Sequence, residues 1–429
     1  MKDDYLVIYQ NKSVFVNSGN EVVFEEGPQS DKSKKNQIKI KEELDDDFLD
    51  KLISNSFLSD EENNLLSEQM HNTMHKLVDS ITSEVGRAIV GLSVLQLTIK
   101  SITPDQSIRL HKSSQSRSSF SWVDGLPMRV IDNTYITPKL REYNLLKLNA
   151  DGFMMTRSLA ENYPYTSLYK ANIRGAKEEW VYIVNQIELE PSIALPSLKL
   201  LITLLKQRSK DFDEKVIATE EKINTFLNKV TNADVLKRIL FSFPESSSYS
   251  ARLFEILIHS FYCTLDDNKL LGNFLKPLSQ MRSANKKHGN IGDVELLKKP
   301  NSMLIEEAWD AKFGKSYLRD ELEELKDKLE HHLETRIAGF ITDSEPTKNK
   351  EILTRKQELE EIFGVEIKVE SIETWYSNQI ELYNISDEFV FLKNWTKIFF
   401  EYLFLKRYKI APIDEPTAIW IDECSSVID

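Results

Sequence analysis

The sequence predicts a mixed α/β protein: a mostly helical N-terminal region, then an α/β unit, then C-terminal helices. Helical periodicity dominates residues 48–245, and short apolar segments alternate with helical ones between about residues 250 and 370. The 429 residues are 41% apolar and 10% aromatic, enough for more than one folded core. We therefore expect three segments: a small β-hairpin with an acidic linker at 1–47, a mainly helical region at 48–245, and an α/β domain with C-terminal helices at 246–429.

The first segment alternates apolar and polar residues in YLVIYQ and SVFVNSGNEVVFEEG, as in a hairpin. Residues 28–47 are charged and carry little apolar material, which predicts a mobile linker. Helices are then expected over Phe48–Phe57 and Asp60–Ile99. The second of these carries His71 and His75 one turn apart. A zinc site needs further ligands that this helix does not supply, so both histidines are expected at the surface or in the core.

A locally basic segment interrupts the helices. Residues 106–177 hold eleven bases against five acids, a net charge of +6, whereas residues 1–75 carry −8 and the whole chain −13. Arginine and lysine residues mixed with Tyr, Phe and Trp122 suit a protein surface that binds DNA. The basic side chains would neutralise phosphates, and the surface would stack on or read the nucleotide bases. The alternative is an ordinary polar subdomain. The residues predicted to contact DNA are Arg129, Lys139, Arg141, Arg157, Tyr163, Lys170 and Arg174.

Long amphipathic helices return over 178–245, and the α/β unit follows. A helix, ARLFEILIHSFYCTL, carries Glu255. After it the pattern predicts the strand DVELL, the strand MLIEEAWDAKF, a helix from SYLRDELE onward, the strand RIAGFIT, a helix ending at a glycine in EEIFG, and the edge strand VEIKVE. The predicted order is α-β-β-α-β-α-β, followed by two helices between about residues 371 and 405.

The side chains of Asp310 and Lys312 share one face of their strand, because side chains alternate with a period of two. Asp293 lies at the mouth of the preceding strand. Two carboxylates about 4 Å apart repel by about 4 kcal/mol at an effective dielectric of 20, so such a pair must share a proton or bind a cation. Mg²⁺ would need only the two aspartates and a backbone carbonyl, that of Ala311. The alternative is a salt-bridged polar edge of a sheet. Trp309 faces the other way and is expected in the core.

An acid-x-Lys pair alone is a weak signal, since the chain contains five more. Only Asp310 and Lys312 combine it with a preceding helix and a turn aspartate. Together, the helix with Glu255, GNIGDVELL and EAWDAKFGK resemble the core of the PD-(D/E)xK nucleases. Their amino-acid sequence is most similar to that of type II restriction endonucleases of the HindIII kind. The resemblance covers about residues 250–345. Gly292–Asp293 stands where the family has Pro-Asp, and seventeen residues separate Asp293 from Asp310.

The resemblance implies a Mg²⁺-dependent endonuclease acting on double-stranded DNA as a homodimer, with a cognate DNA methyltransferase in the same system. Asp293, Asp310 and Lys312 would be catalytic and Glu255 a further metal-binding or catalytic group. Two alternatives stay open: a modification-dependent, phage-defence or repair nuclease, and a helical interaction protein with a degenerate nuclease core. The two cysteines, Cys263 and Cys424, lack metal-ligand spacing, and no uninterrupted apolar run reaches membrane-spanning length. A cytoplasmic location without membrane contact is expected.

Overall fold

The structure is a computed structural model in two compact units, one running to Asp213 and the other beginning at Glu214. It describes residues 4–17, 20–81, 84–111, 122–148, 151–155, 159, 163–169, 173, 175–278, 290–300, 302, 304–404 and 417–428. The division falls inside one long helix, α9 (Ala194–Lys229), and so lies N-terminal to the boundary expected near residue 245. The helical periodicity continues through this point, which is why the pattern contains no signal for the division.

The first unit begins with a three-stranded antiparallel sheet, one strand more than the predicted hairpin. Its strands are β1 (Tyr5–Ile8), β2 (Lys12–Asn17) and β3 (Asn20–Glu25). The predicted linker is wrong, because residues Asp31–Asp45 form helix α1. Ser30 starts this helix by accepting a hydrogen bond from the backbone N–H of Ser33, and Ile40 and Leu44 are buried. Two buried apolar side chains one helical turn apart therefore anchor this otherwise charged helix.

The helix predicted over Phe48–Phe57 is α2 (Phe48–Ser54), whereas that over Asp60–Ile99 is three helices. These are α3 (Asp60–Leu65), α4 (Glu68–Asp79) and α5 (Glu84–Ile102). Ser59 and Ser67 each cap a new helix, and this local capping overrides the continuous apolar periodicity. The span Val85–Ile102 in α5 is long and apolar enough to cross a membrane, but 83% of it is buried inside the structure, as in a core helix.

The rest of the first unit consists of short elements and then longer helices. The elements are α6 (Met128–Ile131), a π-helical turn (Asp132–Ile136), α7 (Thr137–Glu142), a 3-10 turn (Gly152–Met155), α8 (Lys177–Leu189), a second 3-10 turn (Pro191–Ile193) and the start of α9. Helices α4, α5 and α8 pack together and bury the largest apolar cluster of the unit.

The second unit is built on a five-stranded mixed sheet in the order β4-β5-β6-β7-β8. Strand β5 is antiparallel to both of its neighbours, β4 and β6, whereas β6, β7 and β8 are parallel. The strands are β4 (Phe274–Leu275), β5 (Val294–Leu297), β6 (Ile305–Lys312), β7 (Ile337–Thr342) and β8 (Glu366–Ser371). The helices are α10 (Ala233–Ser246), α11 (Ser250–Asp267), α12 (Arg319–Leu329), α13 (Lys350–Phe363), α14 (Ile372–Leu382), α15 (Glu388–Leu403) and α16 (Thr417–Ile428).

The sheet separates two layers of helices. On one face, Ala308 and Phe340 pack with leucines of α12 and α13. On the other face Trp309 meets Trp375 of α14 at a ring-centroid distance of 6.1 Å, and Tyr262 of α11 donates a hydrogen bond to Glu307. Trp309 is 1% exposed, which confirms it as a core residue. Alternation along β6 therefore sends Asp310 toward the α12 layer and Trp309 toward the α11 layer.

The predicted mixed α/β class is confirmed, and each predicted strand and helix between residues 250 and 371 is present. The differences are the two-residue strand β4, which pattern analysis missed because of its length, and helix α16, which follows the two helices expected to close the chain. β8 is the sheet edge as predicted, with Val365, Ile367 and Val369 buried.

Candidate active site

Strand pairing brings Asp293 beside Asp310. In the antiparallel β5–β6 ladder Val294 lies opposite Trp309 and Glu295 opposite Ala308. One step outward along the same register sets Asp293 opposite Asp310, and the two carboxyl groups lie in hydrogen-bonding contact. The Oδ2 atom of Asp293 also accepts a hydrogen bond of 3.1 Å from the backbone N–H of Ala311.

Gly292 is required by the close approach of this turn to β6. A Cβ atom added at Gly292 would lie 2.5 Å from the carbonyl oxygen of Trp309 and 2.7 Å from its carbonyl carbon. Both contacts are to backbone, which cannot rotate away. A glycine directly before Asp293 is thus the steric condition for pairing Asp293 with Asp310.

Two lysines neutralise the carboxylate pair. The Nζ atom of Lys312 lies 3.0 Å from Oδ2 of Asp310, and the Nζ atom of Lys328 lies 3.7 Å from the same oxygen. Lys328 comes from α12 and also donates a 3.1 Å hydrogen bond to the carbonyl of Ile291. The structure therefore brings together Asp293, Asp310 and Lys312 as the sequence predicted, and adds Lys328.

The ionised form of Asp310 is disfavoured in this site. Asp310 is 9% exposed, and burial, followed by the neighbouring charge of Asp293, raises its pKa from the usual 3.8 to about 7. Lys312 and Lys328 act in the opposite direction. For Lys312, burial is the largest influence and lowers the pKa, but the charge and hydrogen bond of Asp310 together with the charges of Asp293 and Glu321 leave the net pKa raised. Near neutral pH the pair is accordingly poised to hold either a proton or a cation.

The donor set fits a hard divalent cation that keeps several of its waters. Among the described residues no group of three or more His, Cys, Asp or Glu side chains could hold a metal, which leaves the two aspartates as the carboxylate donors here. Mg²⁺ binds in proteins through as few as one or two carboxylates. Ala311 is tied to the site through its N–H, and the predicted use of its carbonyl as a ligand stays a prediction.

Glu255 differs in surroundings from the other three predicted residues. It is buried, 9% exposed, on α11, and its described partner is Arg252 one helical turn away. The helix packs against the sheet near the end of β6, where Phe254 and Phe313 lie 5.8 Å apart between ring centroids. A role for Glu255 as a further metal-binding or catalytic group stays a prediction.

The residues predicted to contact DNA divide into two groups. Arg157, Lys170 and Arg174 lie outside the described residues. Of the others, Arg141 is exposed, Arg129 pairs with Asp151 at 3.3 Å, Lys139 pairs with Asp50 at 2.7 Å and Glu142 at 3.1 Å, and Tyr163 is partly buried against the core. Surface pairs of this kind contribute little to stability.

The aromatic part of that DNA prediction is wrong for most of its members. Trp122, Phe153, Tyr165 and Tyr169 are each 2% exposed or less, so their rings fill the core and are closed to base stacking. Arg109 is likewise structural, because its guanidinium donates to the carbonyl of Tyr165 at 2.6 Å and to Asn185 at 2.7 Å. The net positive charge of the segment therefore overstates its exposed charge.

Sequence reasoning missed Lys328 and Glu295. On α12, the leucines at 318, 322, 325 and 329 form the buried stripe, and Lys328 lies beside that stripe. A polar residue bordering a buried stripe was the available signal. Glu295 lies on the same face of β5 as Asp293 and is 2% exposed, but a single glutamate in a four-residue strand gives no sign of its burial.

No family model matches the chain, and no curated protein matches it. The resemblance to PD-(D/E)xK nucleases accordingly rests on the sequence stretches quoted above.

Proposed function

We propose that the chain is a Mg²⁺-dependent DNA endonuclease with a PD-(D/E)xK-type core, acting as a type II restriction enzyme. One observation carries the proposal: Asp293 and Asp310 meet across the β5–β6 ladder with Lys312 3.0 Å from Asp310 on the same strand. The order α11-β4-β5-β6-α12-β7-α13-β8 and the mixed sheet support the proposed core order.

Each residue has a distinct task. Asp293 and Asp310 would hold the divalent cation, which would supply Lewis acidity and offset charge at the scissile phosphate. Lys312 is held beside Asp310, where its ammonium group stabilises the hydroxide nucleophile and the developing phosphate charge. Lys328 supplies a second positive charge on the α12 side. Because Asp310 is buried, its interactions with Lys312 and Lys328 are screened less by solvent than those of a surface pair.

The substrate and partners follow from the resemblance and from surface charge. Double-stranded DNA is the expected substrate. It would be contacted by exposed basic residues of the first unit such as Arg129 and Arg141. Cutting both strands requires two active sites, so we propose a homodimer. A DNA methyltransferase of the same specificity would protect the host DNA.

The test compares wild type, Asp310→Asn and Asp327→Asn on plasmid and phage DNA, each with Mg²⁺ and with EDTA. Asp327 is an exposed acid in α12 and serves as a matched control. Discrete fragments that need Mg²⁺, persist in Asp327→Asn and vanish in Asp310→Asn support the proposal. Cleavage confined to methylated DNA would replace it with a modification-dependent nuclease. Intact DNA, combined with absence of Mn²⁺ binding by calorimetry, would replace it with a non-catalytic interaction protein.

A further inference from the structure

The backbone that carries Asp293 is held by two charged side chains from different elements, Glu295 of β5 and Lys328 of α12. The Oε1 atom of Glu295 accepts the backbone N–H of Ile291 at 2.6 Å and that of Gly292 at 3.4 Å. On the other side, Lys328 donates to the carbonyl of Ile291 at 3.1 Å. The peptide group between Ile291 and Gly292 is thus bonded at its N–H and at its C=O.

Glu295 is itself fixed from outside the turn. Its Oε2 atom pairs with Lys276, which follows β4, and Lys276 also donates to Oδ1 of Asn290 at 3.0 Å. The carboxylate is 2% exposed, and both of its oxygens already accept hydrogen bonds. A buried charge with its hydrogen bonds satisfied in this way orients its neighbours and has little capacity left for a metal ion.

From this geometry we infer that Glu295 is a positioning residue, which sets the Ile291–Gly292 backbone so that Asp293 faces Asp310. Glu295 lies on the same sheet face as both aspartates, so it could be mistaken for a third metal ligand. Because both of its carboxylate oxygens already accept hydrogen bonds, we assign Glu295 a positioning role and not that of a metal ligand. The catalytic meaning of this inference rests on the proposed nuclease function, whereas its structural part can be tested without cleavage.

The decisive comparison is between Glu295→Gln and Glu295→Ala in the full chain. A glutamine oxygen can accept the same two N–H groups, so Glu295→Gln should keep most of the Mn²⁺ affinity and cleavage rate. Glu295→Ala should lose about 10- to 100-fold in both, the usual cost of removing a residue that supports a metal ligand. The loss should appear in kcat and leave the KM for DNA unchanged, because no contact with DNA is removed.

Gly292→Ala gives a second, independent perturbation. It keeps every carboxylate and forces the turn away from the backbone of Trp309. The same loss of Mn²⁺ affinity is expected. Glu307→Ala is the matched control, because Glu307 is a similarly buried glutamate, 7% exposed, on the opposite face of the sheet, where it accepts from Tyr262 and Trp309. This control should lower thermal stability and leave Mn²⁺ affinity intact.

Backbone hydrogen exchange at Ile291 and Gly292 provides a readout that needs neither DNA nor metal. Exchange should accelerate in Glu295→Ala and stay slow in Glu295→Gln. The inference is overturned if Glu295→Gln lowers Mn²⁺ affinity as much as Glu295→Ala, which would indicate a role for the charge itself. It is also overturned if Glu295→Ala and Gly292→Ala leave Mn²⁺ affinity unchanged. An equal loss in Glu307→Ala would reduce the effect to general destabilisation. If wild type cuts no DNA under any condition, the proposed function fails, and exchange and Mn²⁺ binding still decide the role of Glu295.

Discussion

Replacing Asp310 by Asn should stabilise the metal-free protein at alkaline pH and have little effect in acid. The pKa of Asp310 is about 7 in the folded chain against 3.8 when unfolded. Because folding raises the pKa of this carboxyl group, the folded state favours its protonated form. The contribution of Asp310 to the free energy of unfolding is therefore fully present below pH 3.8 and is lost as pH rises to about 7. The groups facing Asp310 that set this balance are Asp293, Lys312 and Lys328.

The difference of about three units corresponds to about 4 kcal/mol at 1.36 kcal/mol per unit. This is an upper limit, because Asp293 and Asp310 titrate as a pair and the site relaxes when both ionise. We expect about half, near 2 kcal/mol, which shifts the melting temperature by about 4 to 8 °C in a unit of this size. Asparagine keeps the shape of the side chain and removes only its ionisation.

The assay is thermal unfolding in EDTA between pH 5 and pH 9 for wild type, Asp310→Asn and the exposed control Asp327→Asn. The melting temperature of Asp310→Asn should exceed that of wild type by a margin that grows from pH 5 to about pH 7 and then stays constant to pH 9, while the control follows wild type throughout. Added Mn²⁺ should then reverse the order at pH 8, since only wild type gains binding energy, about 2.7 kcal/mol at 100 times the dissociation constant. A variant that is less stable than wild type at pH 9 in EDTA would refute the strained carboxylate pair.

Three further outcomes are expected. Lys312→Gln should lower the single-turnover cleavage rate by about 100- to 1,000-fold with the DNA dissociation constant unchanged in a gel-shift assay, and weakened DNA binding alone would contradict that role. Lys328→Met should raise the pKa of Asp310 still further, because a positive charge 3.7 Å from its carboxylate is lost; carboxyl carbon NMR measures this, and an unchanged pKa would exclude the contact. Gly339→Ala should lower the free energy of unfolding by about 1 to 3 kcal/mol, because its Cβ would meet the Trp309 ring at 2.3 Å; urea titration checks it, and an unaltered midpoint would show that the ring moves freely.

Several of the α/β elements could be predicted because a strong local signal marks where they begin or end. Asn349 caps the start of α13, Gly364 ends it in the left-handed conformation, and Ser371 caps α14. Asp310 and Lys312 could be predicted to share a face because the period of a strand is fixed. Helix α1 could not, since its composition is that of a linker and only its tertiary contacts bury Ile40 and Leu44.

The supporting residues of the site could not be predicted because they depend on packing between elements. Lys328 reaches Asp310 only because α12 covers one particular face of the sheet, and Lys276 reaches Glu295 only because the short strand β4 pairs with β5. The burial of Trp122 and Tyr165 was hidden for the same reason. A local pattern reports which residue types alternate, and the partner across a sheet or under a helix lies outside its range.

The β5–β6 ladder has a consequence for how such a site diverges over evolution. Hydrogen bonding selects which residues stand opposite, so the connection over residues 298–304 is free to lengthen without separating Asp293 from Asp310. Doubling such a loop costs only about 0.6 kcal/mol in closure entropy. Deleting Val294 while the rest of β5 keeps its register, however, would turn Asp293 toward the layer of Trp309. Proteins that descend from this one would keep the position of Asp293 relative to β5, while the number of residues between Asp293 and Asp310 changes. A sequence motif defined by a fixed spacing therefore fails to find the site.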